Sequence, residues 1–442
     1  MTIIMFLLGL LLIFTFGYKL SRILLPKVYK LEQIALGYVL GVGIFTFIWF
    51  LINWAGIPYN LTSGFGVLIV LNTIVYISDR LFNKKIKEKY VLDLTFFKKL
   101  NVLEKILLGI IVFLSVSALI QTIYWPIRYW DSLVLYDFRA KIFAATGNMQ
   151  DVIASSYFLG YPLLTSLGHA WVYILGGSNP SFLYSIYYIS LLVVIFFNIR
   201  KLNLGTTLSL FLTSMVALSP RLFDHTQWAY TNLPYSIYII LGSIYLYFGI
   251  KKKDLGSYII SALLISLSTW TRTAEPFWLS CVITAVVFSF FIRKWFWPLI
   301  YASVVASIML PWRVFQGIYN LGTVNVASQV ASTSQGVVQS LQFSILKPAF
   351  DFVMANVVNM YLIYFVLLGI ILLIKLFTKS KEWLFASLII LDLGLTFAGT
   401  LIFVKDTVYW QDIPDSLARM VMFVPVLILF LSAELLSEIK KS

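Results

Sequence analysis

The sequence predicts an all-α polytopic membrane protein. Of its 442 residues, 60% are hydrophobic and 12% are charged, whereas about 25% of the residues of a soluble domain carry charge. The mean hydropathy of the chain is +0.90. Apolar runs recur along its whole length, and many approach the roughly 20 residues that a helix needs to cross a bilayer. These observations exclude a soluble domain for most of the chain.

The apolar runs predict about 13 transmembrane helices. The first run has no basic start and no small-residue cleavage site, so we interpret it as a span and not as a signal peptide. The predicted spans are 2–17, 33–54, 61–78, 106–125, 181–199, 203–219, 233–250, 256–271, 276–292, 296–310, 350–374, 383–404 and 419–437.

Lysine and arginine residues between the spans predict which loops face the cytoplasm. Residues 80–105 carry eight cations and three acids, and cytoplasmic loops are rich in Lys and Arg. The same rule places 251–253, 293–294, 375–381 and the C-terminal tail in the cytoplasm. We therefore attribute the net charge of +14 to these loops and expect no nucleic-acid partner. The predicted location is the cytoplasmic (plasma) membrane.

The apolar stretch 157–176 has two interpretations. If Arg200 and Lys201 are cytoplasmic, residues 126–156 lie outside and 157–176 cannot span the membrane. The stretch is then a helix in the outer interface. Its interfacial aromatic residues would be Tyr157, Tyr161, Trp171 and Tyr173. If 157–176 does span, Arg200 and Lys201 face outwards. We favour the first interpretation.

Charge is concentrated in one predicted outer stretch, residues 125–141. Its 17 residues include two carboxylates, three cations and five aromatics. Ionisable groups are costly in lipid and usually mark function in membrane proteins. We therefore predict that Asp131 is the working carboxylate of an extracytoplasmic active site. Two structural alternatives remain: Asp131 could pair with Arg128, or it could cap the helix that follows it.

Cysteine and histidine usage disfavours a metal centre. The single cysteine, Cys281, excludes an internal disulfide and a cysteine cluster. His169 and His225 are too far apart in sequence for a local zinc motif, and the outward carboxylates are not clustered. We expect no cofactor, and a divalent metal is not favoured.

Five short motifs follow one another on the predicted outer side. Residues 130–141 read WDSLVLYDFRAK, residues 161–164 read YPLL and residues 230–234 read YTNLP. Residues 271–275 read TRTAE, and Arg419 precedes an apolar run that contains a proline.

In order, spacing and side of the membrane, these motifs resemble the GT-C superfamily of membrane glycosyltransferases, which take sugars from polyprenyl-phosphate donors. The similarity is to bacterial members with a WDxxxxWxxKAK-like first outer loop and a later Y-A-D-L-P motif. Tyr136 stands where Trp is common. Asn232 replaces the usual Asp and cannot be a second base or a strong metal ligand. The resemblance implies a GT-C-like helical bundle with juxtamembrane helices in the first outer loop.

The resemblance also implies an inverting glycosyltransferase that works on the extracytoplasmic face. Asp131 would take the proton of an acceptor hydroxyl, while cations hold the donor phosphate. The implied phosphate-binding residues are Arg272, Arg419, Arg139 and Lys141. The implied substrate-binding residues are Tyr129, Trp130, Tyr136, Asp137, Tyr161, Asp224, Asn232 and Glu275. The implied partners are a polyprenyl-phosphate sugar, membrane lipid and an acceptor glycan, lipid, polymer or protein.

Several of these residues also have structural interpretations. Asp137 is expected to pair with Arg139 or Lys141, and Glu275 with Arg272. Asp224 is typical of a solvated loop. His169 is expected to be hydrogen-bonded within the protein and not to bind a ligand.

The resemblance divides the chain into two parts. Residues 1–105, which hold the first helices and a basic loop, lie outside it. Residues 106–437 form the expected catalytic module, with 126–180 as its catalytic outer loop. The uncharged stretch within 311–349 is a candidate lid or a simple connector.

Two rival functions remain open. A glycan polymerase or ligase of related architecture would use a lipid-linked oligosaccharide. A secondary transporter would typically show repeats and polar groups inside its spans. This sequence shows no evident repeat, its predicted spans are nearly free of ionisable groups, and its polar residues cluster on one side.

Overall fold

The computed structural model describes residues 2–82, 99–153, 161–272, 275–321, 343–377, 383–406 and 414–439, and within these ranges it contains helices and no strand. The helices are α1 (Thr2–Leu24), α2 (Lys30–Trp54), α3 (Leu61–Phe82), α4 (Val102–Tyr124), α5 (Phe138–Thr146), α6 (Gln150–Ile153), α7 (Leu164–Ile174), α8 (Phe182–Arg200), α9 (Thr206–Ala217), α10 (Pro220–Trp228), α11 (Asn232–Lys252), α12 (Leu255–Thr271), α13 (Trp278–Phe291), α14 (Trp297–Ile318), α15 (Phe343–Val353), α16 (Leu362–Phe377), α17 (Leu384–Asp406), α18 (Pro414–Met420) and α19 (Val424–Ile439). Two π-helices, Ser132–Asp137 and Met354–Val358, precede α5 and follow α15.

Eight of the described helices are long and apolar enough to cross a membrane, and the number rises to ten if each of two bent helix pairs is one span. The predictions of an all-α fold and of a multi-pass membrane protein are therefore confirmed. The count of about 13 spans stays a prediction. Several predicted spans form shorter helices, because α12 has 17 residues, α13 has 14 and α16 has 16.

Helix α11 is the centre of the bundle, and its apolar stretch is entirely surrounded by protein. It packs most closely on α12, where Gly242 faces Ile265 and Gly249 faces the backbone of Tyr258. A Cβ atom on Gly249 would lie 2.9 Å from that backbone. Small residues at such crossings let helix backbones approach, which supplies the packing that holds helices together in lipid.

The first three helices belong to the same core. The carbonyl of Val39 on α2 accepts a hydrogen bond from Tyr238 on α11, at 2.9 Å. Thr46, also on α2, accepts one from the indole of Trp270 on α12, at 3.1 Å. Residues 1–105 and 106–437 were distinguished by the resemblance, but the helices of both parts pack into one hydrophobic core.

One end of the bundle, which we call the basic end, holds the C-termini of α8 and α11. There the buried carboxylate of Glu32 pairs with Lys201 and accepts a hydrogen bond from Tyr245 at 2.6 Å. Lys251 lies 3.6 Å from Glu434 on α19. These pairs connect the first helices and the last one to the middle of the chain.

One of the few ionisable residues within the predicted spans lies deep in the bundle. Asp392 lies inside α17 and is fully buried. A single acid inside a long apolar run barely changes the mean hydropathy of that run, which is why the sequence reading missed it. Glu32 and Glu434 are also buried, but both have lysine partners.

Helix α7 covers most of the described part of 157–176. Its 11 residues measure about 16 Å, too short to span a membrane, as the favoured interpretation required. The prediction that Trp171 is an interfacial aromatic is wrong. Its ring is buried and packs edge-on against Trp49 and Phe45, at centroid distances of 5.4 and 5.3 Å.

Candidate functional site

The opposite end of the bundle, which we call the site end, is organised by residues 228–232 between α10 and α11. Ala229 there has a φ of 54°, so the chain turns sharply out of α10. The hydroxyl of Ser132 donates to the carbonyl oxygens of Trp228 and Ala229, at 2.5 and 2.7 Å. The Tyr136 hydroxyl lies 3.1 Å from Thr231 Oγ1. This turn therefore fixes the π-helix that follows Asp131.

Asp131 is the residue immediately before that π-helix. Its carboxylate makes no capping hydrogen bond, so the capping alternative is wrong. The Arg128 alternative is wrong as well, because Asp131 Oδ2 lies 3.4 Å from Arg419 Nη1. Arg128 instead lies over the ring of Trp125, 5.1 Å from its centroid. Two residues that are 288 positions apart in sequence thus meet at this site.

The Asp131–Arg419 pair remains open to its surroundings. The Asp131 side chain is 39% exposed and that of Arg419 is 17% exposed. Arg419 lies on the short helix α18, where Ser416 Oγ accepts a hydrogen bond from its Nη2 at 3.1 Å. Its guanidinium also lies 5.3 Å from the ring centroid of Tyr230. Burial, and then the charge of Asp131, raise the pKa of Tyr230.

A second arginine–carboxylate pair is buried beside the same turn. Arg272 donates from Nε to Glu275 at 2.9 Å and also bonds that carboxylate through Nη2. Its Nη1 donates to Thr231 at 2.9 Å and to Asn232 at 3.3 Å. The predicted Arg272–Glu275 pairing is confirmed.

The Arg272 guanidinium is held in a charged form by this pairing. Burial alone would lower its pKa, but the adjacent Glu275 carboxylate raises it well above its ordinary value. The guanidinium also lies 5.1 Å from the ring centroid of Tyr161. The predicted phosphate-binding role of Arg272 stays a prediction, and the burial of the pair disfavours it.

Arg139, another predicted phosphate ligand, is also buried. Its Nε donates to Ser166 at 3.1 Å and its Nη1 donates to the carbonyl of Tyr161 at 2.9 Å. The guanidinium lies 5.7 Å from the ring centroid of Tyr136. Burial lowers the pKa of Arg139 to about 10. These contacts connect the start of α7 to α5, and the buried Arg139 guanidinium has no surface that an anion could reach.

Asp137 belongs to a third, separate group. Its carboxylate pairs with Lys141 at 2.8 Å and accepts a hydrogen bond from the Tyr173 hydroxyl at 2.6 Å. His169 Nδ1 lies 3.3 Å away, and His169 Nε2 lies 2.9 Å from the hydroxyl of Tyr184. Burial alone would raise the pKa of Asp137, but these partners lower it to about 2.

The contacts of this group decide several predictions. Asp137 pairs with Lys141, as one structural interpretation stated, and no described contact joins it to Arg139. His169 is hydrogen-bonded, as predicted. The Lys141 side chain is 60% exposed, so among the predicted phosphate ligands it joins Arg419 as an accessible cation.

The other predicted site residues differ in how close they lie to Asp131 and in how exposed they are. Tyr129 packs on Trp228 at a centroid distance of 5.4 Å, next to Asp131. Trp130 is 73% exposed. Asp224 is half-buried on α10. The candidate lid lies largely outside the described residues, since 322–342 are not described.

The sequence reading missed the residues that connect the site. Tyr230 and Thr231 touch Arg419 and Arg272 respectively, yet only the neighbouring Asn232 was singled out. An aromatic and a hydroxyl residue directly before Asn232 were the available signal. Ser132, which ties the loop to this turn, has no signal beyond its position next to Asp131.

Among the residues that the structure describes, no group of three or more His, Cys, Asp or Glu side chains is placed to hold a metal ion. The expectation about metals stays a prediction. Comparison with family models, with curated proteins and with solved structures finds no match.

Proposed function

We propose that this protein is an inverting glycosyltransferase that moves a sugar from a polyprenyl-phosphate donor to an acceptor hydroxyl at the extracytoplasmic face of the plasma membrane. The observation that carries the proposal is the Asp131–Arg419 pair. A carboxylate with a part-exposed side chain and an arginine meet at 3.4 Å at the end of an apolar helical bundle. This chemistry suits a base and a phosphate ligand at adjacent positions.

In the proposed reaction, Asp131 takes the proton of the acceptor hydroxyl. The hydroxyl oxygen then bonds to the anomeric carbon from the side opposite the phosphate, and the bond from that carbon to the phosphate oxygen breaks. The electron pair leaves with the lipid phosphate, which is a stable anion and needs no acid catalyst. One carboxylate is therefore enough, whereas hydrolysis of a glycosidic bond employs two.

Arg419 is the proposed phosphate ligand because its contact with Asp131 is weak. A single hydrogen bond of 3.4 Å to a part-exposed carboxylate is long for an ion pair. A phosphate offers the guanidinium two parallel oxygens and more charge. Binding of the donor would therefore draw Arg419 from Asp131 to the phosphate. This exchange would free the carboxylate to act as a base only when the donor is in place.

The proposed topology is a bundle of about 13 spans, with the site end outside and the basic end in the cytoplasm. The lysines of the basic end support this orientation, since cytoplasmic ends are enriched in Lys and Arg. Lipid-linked donors approach such a site laterally, with the phosphate at the depth of the headgroups.

The variant that tests catalysis is Asp131→Asn. It keeps the shape of the side chain but cannot accept the acceptor proton, so we expect transfer to fall by about 10²- to 10⁴-fold. The melting temperature and its rise on adding a polyprenyl-phosphate sugar should be retained. The matched control is Asp351→Asn, which alters an exposed carboxylate on α15 and should leave transfer unchanged.

Normal turnover by Asp131→Asn would remove Asp131 from the mechanism. A melting temperature that responds to a free solute and not to any lipid-linked sugar would instead favour a transporter. A response only to a lipid-linked oligosaccharide would favour the polymerase or ligase.

Orientation is tested by cysteine labelling with a membrane-impermeant maleimide. The native Cys281 is buried and should not react. Gln150→Cys, at the site end, should be labelled in intact cells, and Lys252→Cys, at the basic end, only after permeabilisation. The opposite pattern would place Asp131 in the cytoplasm and end the proposal.

A further inference from the structure

Asp392 is an acid without a partner in the interior of the bundle. It lies on α17, whose residues 384–402 are a candidate span, and both of its carboxylate oxygens are buried without a hydrogen-bond partner. An ionised carboxylate left alone in an apolar interior is among the most costly groups that a protein can contain. Ionisable residues kept at such positions in membrane proteins usually have a function.

The hydroxyl beside this acid is already engaged in another hydrogen bond. Ser280, on the first turn of α13, is the hydroxyl residue that interacts with the Asp392 carboxyl. The Ser280 hydroxyl already donates its hydrogen to the carbonyl of Phe277 at 2.8 Å. While that bond is in place, the single hydrogen of the Ser280 hydroxyl is not available to a negative carboxylate.

Buried hydroxyl and thiol groups continue from this position towards the basic end. Cys281, next to Ser280, lies 3.3 Å from the Ser243 hydroxyl and also lies against Tyr301. The Tyr301 hydroxyl is 2.9 Å from Ser261. Further along, the hydroxyls of Tyr258 and Ser289 are 3.0 Å apart. We call these six side chains the hydroxyl row: Ser243, Tyr258, Ser261, Cys281, Ser289 and Tyr301.

On the other side, Asp392 approaches the site end through Tyr235. The charges of Asp392 and Glu275 both act on Tyr235, and the Tyr235 hydroxyl donates to the carbonyl of Glu275 at 3.0 Å. The acid thus lies between the Arg272–Glu275 pair and the hydroxyl row. Groups with exchangeable hydrogens are present in both directions.

The other titratable groups on the helices packed against α17 have partners elsewhere. On α15, Asp351 pairs with Lys347 at 3.0 Å. On α19, Glu434 lies 3.6 Å from Lys251. Tyr235 on α11 and Cys281 on α13 interact electrostatically with Asp392, but neither is a cation. No described cation therefore balances a negative charge on Asp392.

We propose that Asp392 is a proton-binding site in the interior of the bundle, where a bound proton keeps its buried and otherwise unpaired carboxyl neutral. This assignment goes beyond the transfer of a sugar and does not depend on it. The ligand is a proton because no described cation lies beside the carboxyl, and a neutral acid removes the cost of burying a charge.

The proposal is tested with dicyclohexylcarbodiimide, an apolar reagent that modifies protonated carboxyls. The carboxyl proton moves to a carbodiimide nitrogen, and a carboxyl oxygen bonds to the central carbon. The adduct then rearranges to a stable N-acylurea. No group leaves, so the modified peptide gains the mass of one whole reagent, which mass spectrometry detects.

We expect the full chain in detergent or liposomes to be modified at Asp392 at neutral pH, because a buried carboxyl without a cation is favoured in its neutral form. Glu434 is the internal control, because it is as deeply buried but has a lysine partner and should stay unmodified. The Asp392→Asn variant should lose the modification and keep its melting temperature, since asparagine resembles the neutral acid.

Two results would overturn the proposal. An unmodified Asp392 at low pH, while the reagent modifies other carboxyls in the same sample, would show that no exchangeable proton is held there. Protection of Asp392 by sodium chloride but not by choline chloride, at one pH and ionic strength, would show that a metal cation and not a proton neutralises it.

Discussion

Two arginine–carboxylate pairs lie beside the same turn and differ mainly in burial. Arg272 and Glu275 are buried, and the guanidinium makes two bonds to the carboxylate and two more to Thr231 and Asn232. Arg419 and Asp131 are part-exposed and share one bond of 3.4 Å. The same two chemical groups therefore stabilise the fold as the Arg272–Glu275 pair and form an accessible site as the Asp131–Arg419 pair.

The difference has a physical cause. Once two charges are buried, removing either one leaves the other without compensation, so a buried pair resists any exchange of partners. A part-exposed pair is weakened by water and can be replaced by a ligand with more charge. Burial thus explains why Asp131–Arg419 is the better candidate for a site, although Arg272 was an equal candidate from sequence.

The largest expected effect is on the buried pair. Arg272→Ala should leave Glu275 as an unpaired buried carboxylate and lower the stability of the fold by about 3–5 kcal/mol. The melting temperature in detergent measures this change. Replacing both residues, as Arg272→Met with Glu275→Leu, should recover much of the loss, because no charge is then left alone.

If Arg272→Ala instead kept the melting temperature of the native protein but abolished donor binding, the comparison would be reversed. Arg272 would then be a phosphate ligand, and the buried pair would have to open during the reaction.

A second expected effect concerns Asp137, which is buried but paired with an exposed lysine. Its pKa of about 2 lies below its ordinary value of 3.8, so its contribution to stability is present above about pH 4 and is lost as the pH falls towards 2. At neutral pH this contribution is about 2 kcal/mol. Asp137→Asn should lower the melting temperature at neutral pH and flatten its decline in acid.

The matched control is Lys141→Ala, which leaves the Tyr173 hydrogen bond to Asp137 and the nearby His169 in place and should cost less. Equal losses for the two variants would show that the lysine alone holds the carboxylate.

These pairs also show what the sequence could and could not predict. The all-α membrane fold follows from apolar runs, since a run of about 20 apolar residues has few other solutions in a bilayer. The position of Asp131 follows from its place just beyond such a run. Its partner does not follow, because Arg128 was three residues away in sequence and Arg419 was 288.

Burial was the other quantity that the sequence could not supply. Arg139 and Lys141 belong to one motif and were equal candidates for a phosphate, yet α7 covers the first and leaves the second exposed. That covering depends on how α7 packs under α2 through Trp171. Contacts between distant segments, and not local pattern, decide which cation a ligand can reach.

A third expected effect is on the open pair. Arg419→Ala should lower the melting temperature less than Arg272→Ala does, because its bond to Asp131 is long and part-exposed. It should weaken binding of a polyprenyl-phosphate sugar by about 10- to 100-fold, which corresponds to the loss of a charge-assisted hydrogen bond. The donor-induced rise in melting temperature measures this. Arg128→Ala, which removes an exposed arginine of the same end, is the control.

The smallest expected effect is on the most exposed of these pairs, Lys347 and Asp351 on α15, whose side chains are 66% and 59% exposed and 3.0 Å apart. The bond is shorter than that of Asp131–Arg419, yet water screens both charges, so Asp351→Asn should change stability by less than about 0.5 kcal/mol. Its melting temperature and its response to donor should match those of the native protein. A loss of stability as large as that caused by Asp137→Asn would mean that the contribution of these pairs to stability depends on the distance between the charges and not on their burial. The Asp131–Arg419 pair would then be exchangeable only because its bond is long, at 3.4 Å.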